Sequence, residues 1–178
     1  LLLKIANKEN ITLFGVSAKY IDALRKTKKN FRKVYKLEKL RTICSTGSPL
    51  SSDCFKYVYN NIKKNVHLAS ISGGTDIVSC FVLGNLYQPV HAGEIQSKGL
   101  GMDVRVFNEK GKSILNQKGE LVCVNPFPSM PSKFWNDYKD TKFKKAYFNR
   151  YRNIWHHGDY AQITNNNGII ISGRSDTT

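Results

Sequence analysis

The sequence lacks a long hydrophobic run. No segment of its 178 residues approaches the roughly 20 consecutive apolar residues that a membrane-spanning helix needs. The opening Leu1-Leu2-Leu3-Lys4 also lacks the basic flank and the small-residue cleavage site of a secretory signal peptide. Because 40% of the residues are hydrophobic, the chain can still bury a core. We therefore expect a globular protein without a membrane partner.

Cysteine is scarce, and its spacing argues against two kinds of protein. The four cysteines are Cys44, Cys54, Cys80 and Cys123. They form no C-x-x-C pair of the kind found in zinc and redox sites, and they are too few for a disulfide scaffold. We predict reduced thiols and a cytosolic location.

Acidic residues are few, with 13 Asp and Glu against 28 Lys and Arg and a net charge of +15. Residues 1–66 carry 15 of the basic residues and 4 of the acidic ones. Such an excess leaves open a module that binds nucleic acid or another anionic surface. No nucleic-acid motif accompanies the basic residues, so we favour a solvated face and expect no nucleic-acid partner. The apolar residues expected to be buried beneath this face are Phe31, Val34, Leu37 and Leu40.

Strand and helix patterns alternate in the first half. Residues 11–16 are apolar and β-branched, and residues 17–26 place apolar side chains at helical spacing behind a serine suited to a cap. Residues 40–47 and 51–62 repeat this order, and residues 66–72 resemble a third strand. This alternation predicts a parallel sheet, in which ligands bind at the carboxyl ends of the strands.

The second half has a different pattern. From about Pro89 onward, short β-branched runs alternate with glycine turns, which indicates a small antiparallel sheet or barrel. Residues 127–148 mix prolines, aromatics and lysines, and we expect a loop with one short helix there. The predicted fold class is therefore α/β: part of a parallel-sheet α/β subdomain in residues 1–97, followed by a small β-barrel-like subdomain in residues 98–178.

Several catalytic motifs are missing. The glycines of Ser72–Asp76 are not followed by the lysine of a phosphate-binding P-loop. Residues 45–49 do not match the nucleophile elbow of hydrolases, and the adjacent His156 and His157 would point to opposite faces of a strand, so we expect no zinc site. Covalent catalysis by an enzyme nucleophile is therefore not expected.

Three remaining segments carry polar groups suited to a nucleotide. Ser72–Asp76 offers a hydroxyl for phosphate and a carboxylate for Mg²⁺, although a plain tight turn is the favoured interpretation of this segment in isolation. Both oxygens of Asp159 can accept hydrogen bonds from the two hydroxyls of a ribose. Arg174 follows a predicted strand, where its planar fork can bind phosphate or ribose oxygens, with a surface arginine as the alternative.

In order and spacing, the segments TGSP, SGGTD, GELVC, WHHGD and GRSD resemble those of the adenylate-forming enzymes. Throughout its length the chain is similar to the acyl-CoA ligases of that superfamily that act on acetoacetate. The resemblance implies an enzyme that joins acetoacetate to ATP, releases pyrophosphate, and transfers the acyl group to coenzyme A with Mg²⁺ as cofactor. It implies small-molecule substrates and says nothing of the oligomeric state.

The resemblance also implies a role for each motif. Thr75 would bind the α-phosphate, Asp76 would ligate Mg²⁺, and Arg174 would reach ribose or phosphate oxygens. Asp159 would hold the ribose hydroxyls, and Asp176 would lie at a domain hinge. The residues implied to bind the nucleotide are Gly47, Ser48, Pro49, Ser72, Gly73, Gly74, Thr75, Asp159 and Arg174, of which the first three would line the adenine.

Gly73 stands where acetate-activating relatives carry a tryptophan, which implies room for a longer acyl chain. The alternative is a glycine that only suits the local backbone. The chain opens inside an apolar run and ends without a closing element, so we expect a piece of a longer protein. The family's phosphate-gripping lysine loop and its lysine-bearing C-terminal domain would lie outside it, and we expect this piece alone to be inactive. An inactive remnant is a further alternative.

Overall fold

The computed structural model describes residues 1–177, which form two compact units. The first unit consists of Leu1–Ile71 and Gly84–Gln96, and the second of Ser72–Leu83 and the residues from Ser97 onward. The chain enters the second unit at Ser72, leaves it after Leu83 and returns to it at Ser97. The predicted boundary at residue 97 therefore coincides with this return. Ser72–Leu83, which we had assigned to the α/β half, lies in the second unit.

A parallel sheet forms the centre of the first unit. Its strands are β1 (Leu13–Ser17), β2 (Thr42–Thr46) and β3 (His67–Ser70), in that spatial order. Both neighbouring pairs are parallel. Parallel neighbours need a crossover connection, and the helical segments between these strands supply it.

Serine caps start two of the helices of the first unit. Ser17 Oγ accepts the backbone N–H of Tyr20 at 3.1 Å, and Ser51 Oγ accepts that of Cys54 at 3.4 Å. Each cap satisfies a donor that has no partner within its helix. The helical segments are α1 (Leu2–Lys8), α2 (Ala18–Lys26), a 3₁₀ turn (Phe31–Lys33), α3 (Ser52–Tyr57) and a π-helical turn (Val58–Ile62).

Each main element of the first unit contributes apolar side chains to one core. Its most buried members include Leu3, Ile21, Ile43, Phe55 and Leu68. Burying a side chain of this size stabilises a fold by about 1.5–3 kcal/mol. Leu37 and Leu40 also join this core, but Val34 is 66% exposed, so the prediction that Val34 is buried was wrong. The basic residues from Lys26 to Arg41 are exposed, as a solvated face requires.

Two antiparallel sheets make up the second unit, with spatial orders β10-β9-β8-β7 and β4-β5-β6. Its strands are β4 (Ser72–Gly74), β5 (Ser79–Leu83), β6 (Ser97–Lys98), β7 (Val104–Phe107), β8 (Gly119–Cys123), β9 (Trp155–Ile163) and β10 (Ile169–Arg174). One helix, α4 (Thr141–Tyr147), lies within the segment predicted as a loop with a short helix. The mixed α/β class and its parallel sheet are confirmed. Within residues 1–177, however, β7 and β10 are the outer strands of an open sheet and not a closed barrel.

All four cysteines carry free thiols, and Cys54 and Cys123 are buried. Burial raises the pKa of the Cys123 thiol to about 11. None of the helices in the described part of the chain is long and apolar enough to cross a membrane.

Candidate active site

A cavity of about 400 Å³ in the second unit is lined by five of the residues singled out in the sequence. They come from β4 and the turn behind it, and from the end of β10. The predicted residues that line it are Gly73, Gly74, Asp76, Arg174 and Asp176. Its other lining residues are Ala146, Tyr147, His156, His157 and Gly158, from α4 and β9. The fold therefore joins segments that are far apart in the sequence.

Asp76 lies on a short turn between β4 and β5. A single 3₁₀ turn, Thr75–Ile77, connects the strands, and Ile77 anchors it because its side chain is fully buried. Thr75 and Asp76 are exposed, so their oxygens are accessible to a ligand. Val78 ends the turn in the left-handed region, with φ 48° and ψ 33°, which is unfavourable for a β-branched residue. The segment is a tight turn that also presents a hydroxyl and a carboxylate.

Gly73 is required by the close approach of two backbones. A Cβ built on Gly73 would lie 2.1 Å from the carbonyl oxygen of Ser79 and 2.6 Å from Cα of Cys80. Both atoms belong to β5, and the β4–β5 register shifts between Ser72 and Gly73. Because backbone cannot move aside like a flexible side chain, any larger residue would separate the strands. This contact explains the glycine without reference to the length of the acyl chain.

Gly74 is needed for a different reason, which concerns Asp76 itself. A Cβ on Gly74 would lie 1.9 Å from Asp76 Oδ1 and 3.3 Å from Cε1 of His157. The absent side chain leaves space around that carboxylate oxygen. Gly74 therefore favours the present orientation of Asp76.

Asp159 lies in β9 and is only 7% exposed. Its Oδ1 accepts a hydrogen bond from Arg174 Nη1 at 3.2 Å, and its Oδ2 accepts one from Ser72 Oγ at 3.5 Å. Burial raises the pKa of the Asp159 carboxyl, while the neighbouring His157 ring and the charge of Arg174 act in the opposite direction. The two groups implied for the ribose are thus paired with each other.

Arg174 also forms a bidentate pair with Asp176. Its Nε donates to Asp176 Oδ1 at 2.8 Å, and its Nη2 donates to Oδ2. This pairing raises the pKa of Arg174 and lowers that of Asp176. Gly158, at φ +79°, gives the guanidinium room, since a Cβ there would lie 2.8 Å from Nη2.

His157, where the sequence predicts no zinc site, is a buried member of the cavity wall. Its Nε2 lies 3.3 Å from the carbonyl oxygen of Gly73 and 3.7 Å from Asp159 Oδ2. Both neighbours only accept hydrogen bonds, so Nε2 is the protonated nitrogen and Nδ1 is an acceptor. Burial lowers the pKa of His157 and favours the neutral ring. Within residues 1–177, Nδ1 is buried without a hydrogen-bond partner.

Tyr147, at the end of α4, was not predicted as a site residue. Its hydroxyl donates a hydrogen bond of 2.6 Å to Asp76 Oδ2. Burial and this hydrogen bond both raise the pKa of the phenol, so the hydroxyl keeps its proton at neutral pH. No local pattern could have indicated the pair, because the two residues are 71 positions apart.

Glu120 organises the polar groups beside the cavity. It is only 2% exposed, and its carboxylate accepts hydrogen bonds from Arg150 Nη1 at 2.7 Å and Ser175 Oγ at 2.6 Å. His156 Nε2 lies 2.8 Å from Oε2, the same oxygen that accepts the hydrogen bond from Ser175. The two adjacent histidines therefore have different partners, as expected for neighbours on a strand. Through Ser175, Glu120 fixes the backbone between Arg174 and Asp176.

Some predicted residues lie elsewhere. Gly47, Ser48 and Pro49 belong to the first unit and follow β2, and Gly47 adopts the left-handed conformation with φ +80°. Ser48 and Pro49 line a separate cavity of about 640 Å³ in that unit, together with residues of α2 and the start of α3. In the second unit, Ser72, Thr75 and Asp159 belong to the site segments but do not line the 400 Å³ cavity.

The donor set is compatible with Mg²⁺ held largely by a substrate. The part of the chain that the structure describes contains no group of three or more His, Cys, Asp or Glu residues that could enclose a metal. Mg²⁺ commonly uses one or two carboxylates and completes its shell with water and substrate phosphates. The exposed Asp76 carboxylate fits this mode of binding, and a metal cage built only of protein ligands does not fit.

Comparison with known proteins yields consistent relatives, although no model of a protein family matches the chain. The chain is 55% identical over 177 residues to the acetoacetyl-coenzyme A synthetase of Rhizobium meliloti (strain 1021), covering 99% of this chain and 27% of that protein. It is 45% identical over 178 residues to the acetoacetyl-CoA synthetase of Gallus gallus, with the same coverage. The chain thus spans about a quarter of the length of these curated relatives.

Solved structures lead to the same group of proteins. The acetoacetyl-CoA synthetase from Streptomyces lividans superimposes with a TM-score of 0.89 at 38% identity, over 98% of this chain and 27% of that one. An anthranilate CoA ligase, AuaEII, in complex with anthranoyl-AMP has a TM-score of 0.79 at 16% identity, over 98% of this chain and 32% of that one, and so supports the fold alone. The resemblance to adenylate-forming acyl-CoA synthetases, first predicted from the motifs, is confirmed over nearly the whole chain.

Proposed function

We propose that this chain is part of an acid–thiol ligase that activates acetoacetate with ATP and transfers it to coenzyme A. The observation that carries the proposal is the arrangement of Asp76, Arg174 and Asp176 around one cavity, with Asp159 bonded to Arg174. Three motifs that are separate in the sequence thereby form one polar site. The similarity to acetoacetyl-CoA synthetases supports the choice of acid.

In this function the site binds and orients a nucleotide. Thr75 donates its hydroxyl to the α-phosphate, and Asp76 would ligate Mg²⁺. Asp159 accepts hydrogen bonds from the ribose hydroxyls once Arg174 Nη1 has moved to ribose or phosphate oxygens. Gly47, Ser48 and Pro49 line the adenine. Asp176, paired with Arg174 here, serves as the hinge of a larger protein.

The chemistry needs no enzyme nucleophile. A carboxylate oxygen of acetoacetate attacks the α-phosphorus of ATP, and pyrophosphate leaves to give the acyl-adenylate. The thiol of coenzyme A then attacks the acyl carbonyl, loses its proton, and AMP leaves. Mg²⁺, when bound, offsets phosphate charge. The chain's own groups contribute by alignment and by donors directed at charge that develops in the transition state.

The partners and the cellular location of the protein follow from the same proposal. Acetoacetate, ATP and coenzyme A are small molecules, and we assign no membrane or nucleic-acid partner. The four free thiols support a reducing compartment such as the cytosol.

Pyrophosphate release by the full-length protein that contains this chain tests the ligase function. We expect ATP- and Mg²⁺-dependent release with acetoacetate and much less with acetate. Asp159→Asn should raise the KM for ATP more than it changes that for acetoacetate, because the carboxylate binds ribose. Absence of release with any short acid would refute the ligase assignment, and equal rates with acetate and acetoacetate would refute the choice of acid.

A further inference from the structure

The hydrogen bond between Tyr147 and Asp76 has no part in the roles assigned so far. The distance from Oη to Oδ2 is 2.6 Å, within the range of charge-assisted O–H···O⁻ bonds. A carboxylate can only accept, so the tyrosine hydroxyl is the donor. Asp76 is the carboxylate for which we proposed Mg²⁺ binding, so its orientation bears directly on the site.

The ring of Tyr147 is held in place by an aromatic cluster. It stacks on Trp155 with centroids 3.7 Å apart and an interplanar angle of 14°. Phe143 and Phe134 pack edge-on against it at 5.5 and 5.7 Å. Trp155 is only 1% exposed and begins β9, so the stacking surface is fixed by the core. The hydroxyl therefore reaches Asp76 from a rigid support.

Asp76 has little support of its own. It lies on the exposed turn between β4 and β5, behind the exposed Thr75. Its carboxylate has about four lone-pair positions, and the tyrosine uses one of them on Oδ2. Oδ1 lies beside Gly74, which has no side chain to occupy that space. The tyrosine thus fixes one oxygen and leaves the other available.

We propose that Tyr147 is a positioning residue that holds the Asp76 carboxylate through Oδ2 so that Oδ1 binds a divalent cation carried by nucleotide phosphates. The inference rests on the proposed function, in which Asp76 is the metal ligand. In this role the tyrosine hydroxyl acts through Asp76 and is not itself a ligand of the cation. Its contribution resembles that of the outer-shell groups that orient metal ligands, whose loss typically weakens metal affinity by about 10- to 100-fold.

The test compares three variants of the full-length protein that contains this chain. Tyr147→Phe removes one oxygen and keeps the aromatic ring on Trp155, and the matched control Tyr138→Phe removes the hydroxyl of a tyrosine that is 94% exposed. Asp76→Asn removes the proposed ligand charge. Mn²⁺ is the probe, and free Mn²⁺ is measured by electron paramagnetic resonance with a non-hydrolysable ATP analogue present. The emission of buried Trp155 reports whether each variant is folded.

We expect Tyr147→Phe to bind Mn²⁺ about 10-fold more weakly than the wild type, and Tyr138→Phe to bind it equally well. The affinity of either variant for the analogue without metal should not change. A general loss of structure would weaken that affinity as well. Unchanged Mn²⁺ affinity in Tyr147→Phe, with weakened binding in Asp76→Asn, would overturn the positioning role and leave the proposed function intact. Unchanged affinity in Asp76→Asn would overturn both the metal role of Asp76 and this inference. Pyrophosphate release is measured in a separate assay. If no pyrophosphate were released, the ligase function would be refuted, but the Mn²⁺ affinities of the variants could still be compared.

Discussion

Replacing Gly73 with alanine should destabilise the second unit, because the added methyl group meets backbone. The new Cβ would lie 2.1 Å from the carbonyl oxygen of Ser79, whereas ordinary contacts begin near 3.4 Å. β4 and β5 would have to separate by about 1.3 Å, which disturbs their ladder and the turn that carries Asp76. Overpacking of this kind costs about 1–3 kcal/mol, and the rigid backbone neighbour places Gly73→Ala near the upper value. For a chain of this size, about 3 kcal/mol lowers Tm by roughly 6–12 °C.

Urea unfolding followed by tryptophan emission measures this effect, since Trp155 is buried in the second unit. Gly15→Ala is the control, because nothing lies within 4 Å of a Cβ built on Gly15 in β1, and circular dichroism follows that variant. The control should be neutral or slightly stabilising, by up to about 1 kcal/mol. If Gly73→Ala were as stable as the wild type, the steric explanation would be refuted and the acyl-pocket interpretation of Gly73 would regain its standing.

Three further changes test other parts of the second unit. Glu120→Gln should cost about 2 kcal/mol in urea unfolding, because it removes the buried charge that Arg150 and Ser175 contact; a loss below about 0.5 kcal/mol would contradict that role. Burial lowers the pKa of His157, so the unfolded chain takes up the proton at a higher pH than the folded chain does. The free energy of unfolding should therefore fall as the pH drops below about 6.5, by at most about 1.4 kcal/mol per pH unit, and His157→Asn should flatten this slope. Cys123, with its pKa raised to about 11, should react with iodoacetamide at pH 8 at least about 100-fold more slowly than an exposed thiol, and rapid labelling detected by mass spectrometry would argue against its burial.

Local chemistry was enough to predict many elements of the fold. Ser17 and Ser51 precede apolar residues at helical spacing, and each accepts the backbone N–H that a cap requires. The strands of the parallel sheet follow apolar, β-branched runs for the same reason, since period and propensity act within a few residues. Val34 fits the apolar pattern equally well but is exposed, because local periodicity cannot show which side chains a tertiary core will cover.

In the candidate site, too, some features could be predicted from the sequence and others could not. The sequence alone was enough to predict the candidate segments: a turn with Thr75 and Asp76, the segment that carries Asp159, and an arginine at a strand end. The folded chain alone shows that Arg174 pairs with Asp159 and that Ser72 reaches the same carboxylate from 87 residues away. It also shows that Tyr147 donates a hydrogen bond to Asp76. Those contacts depend on sheet register and on the packing of an aromatic cluster. Such long-range geometry arises from many weak interactions together, and no short stretch of sequence encodes it.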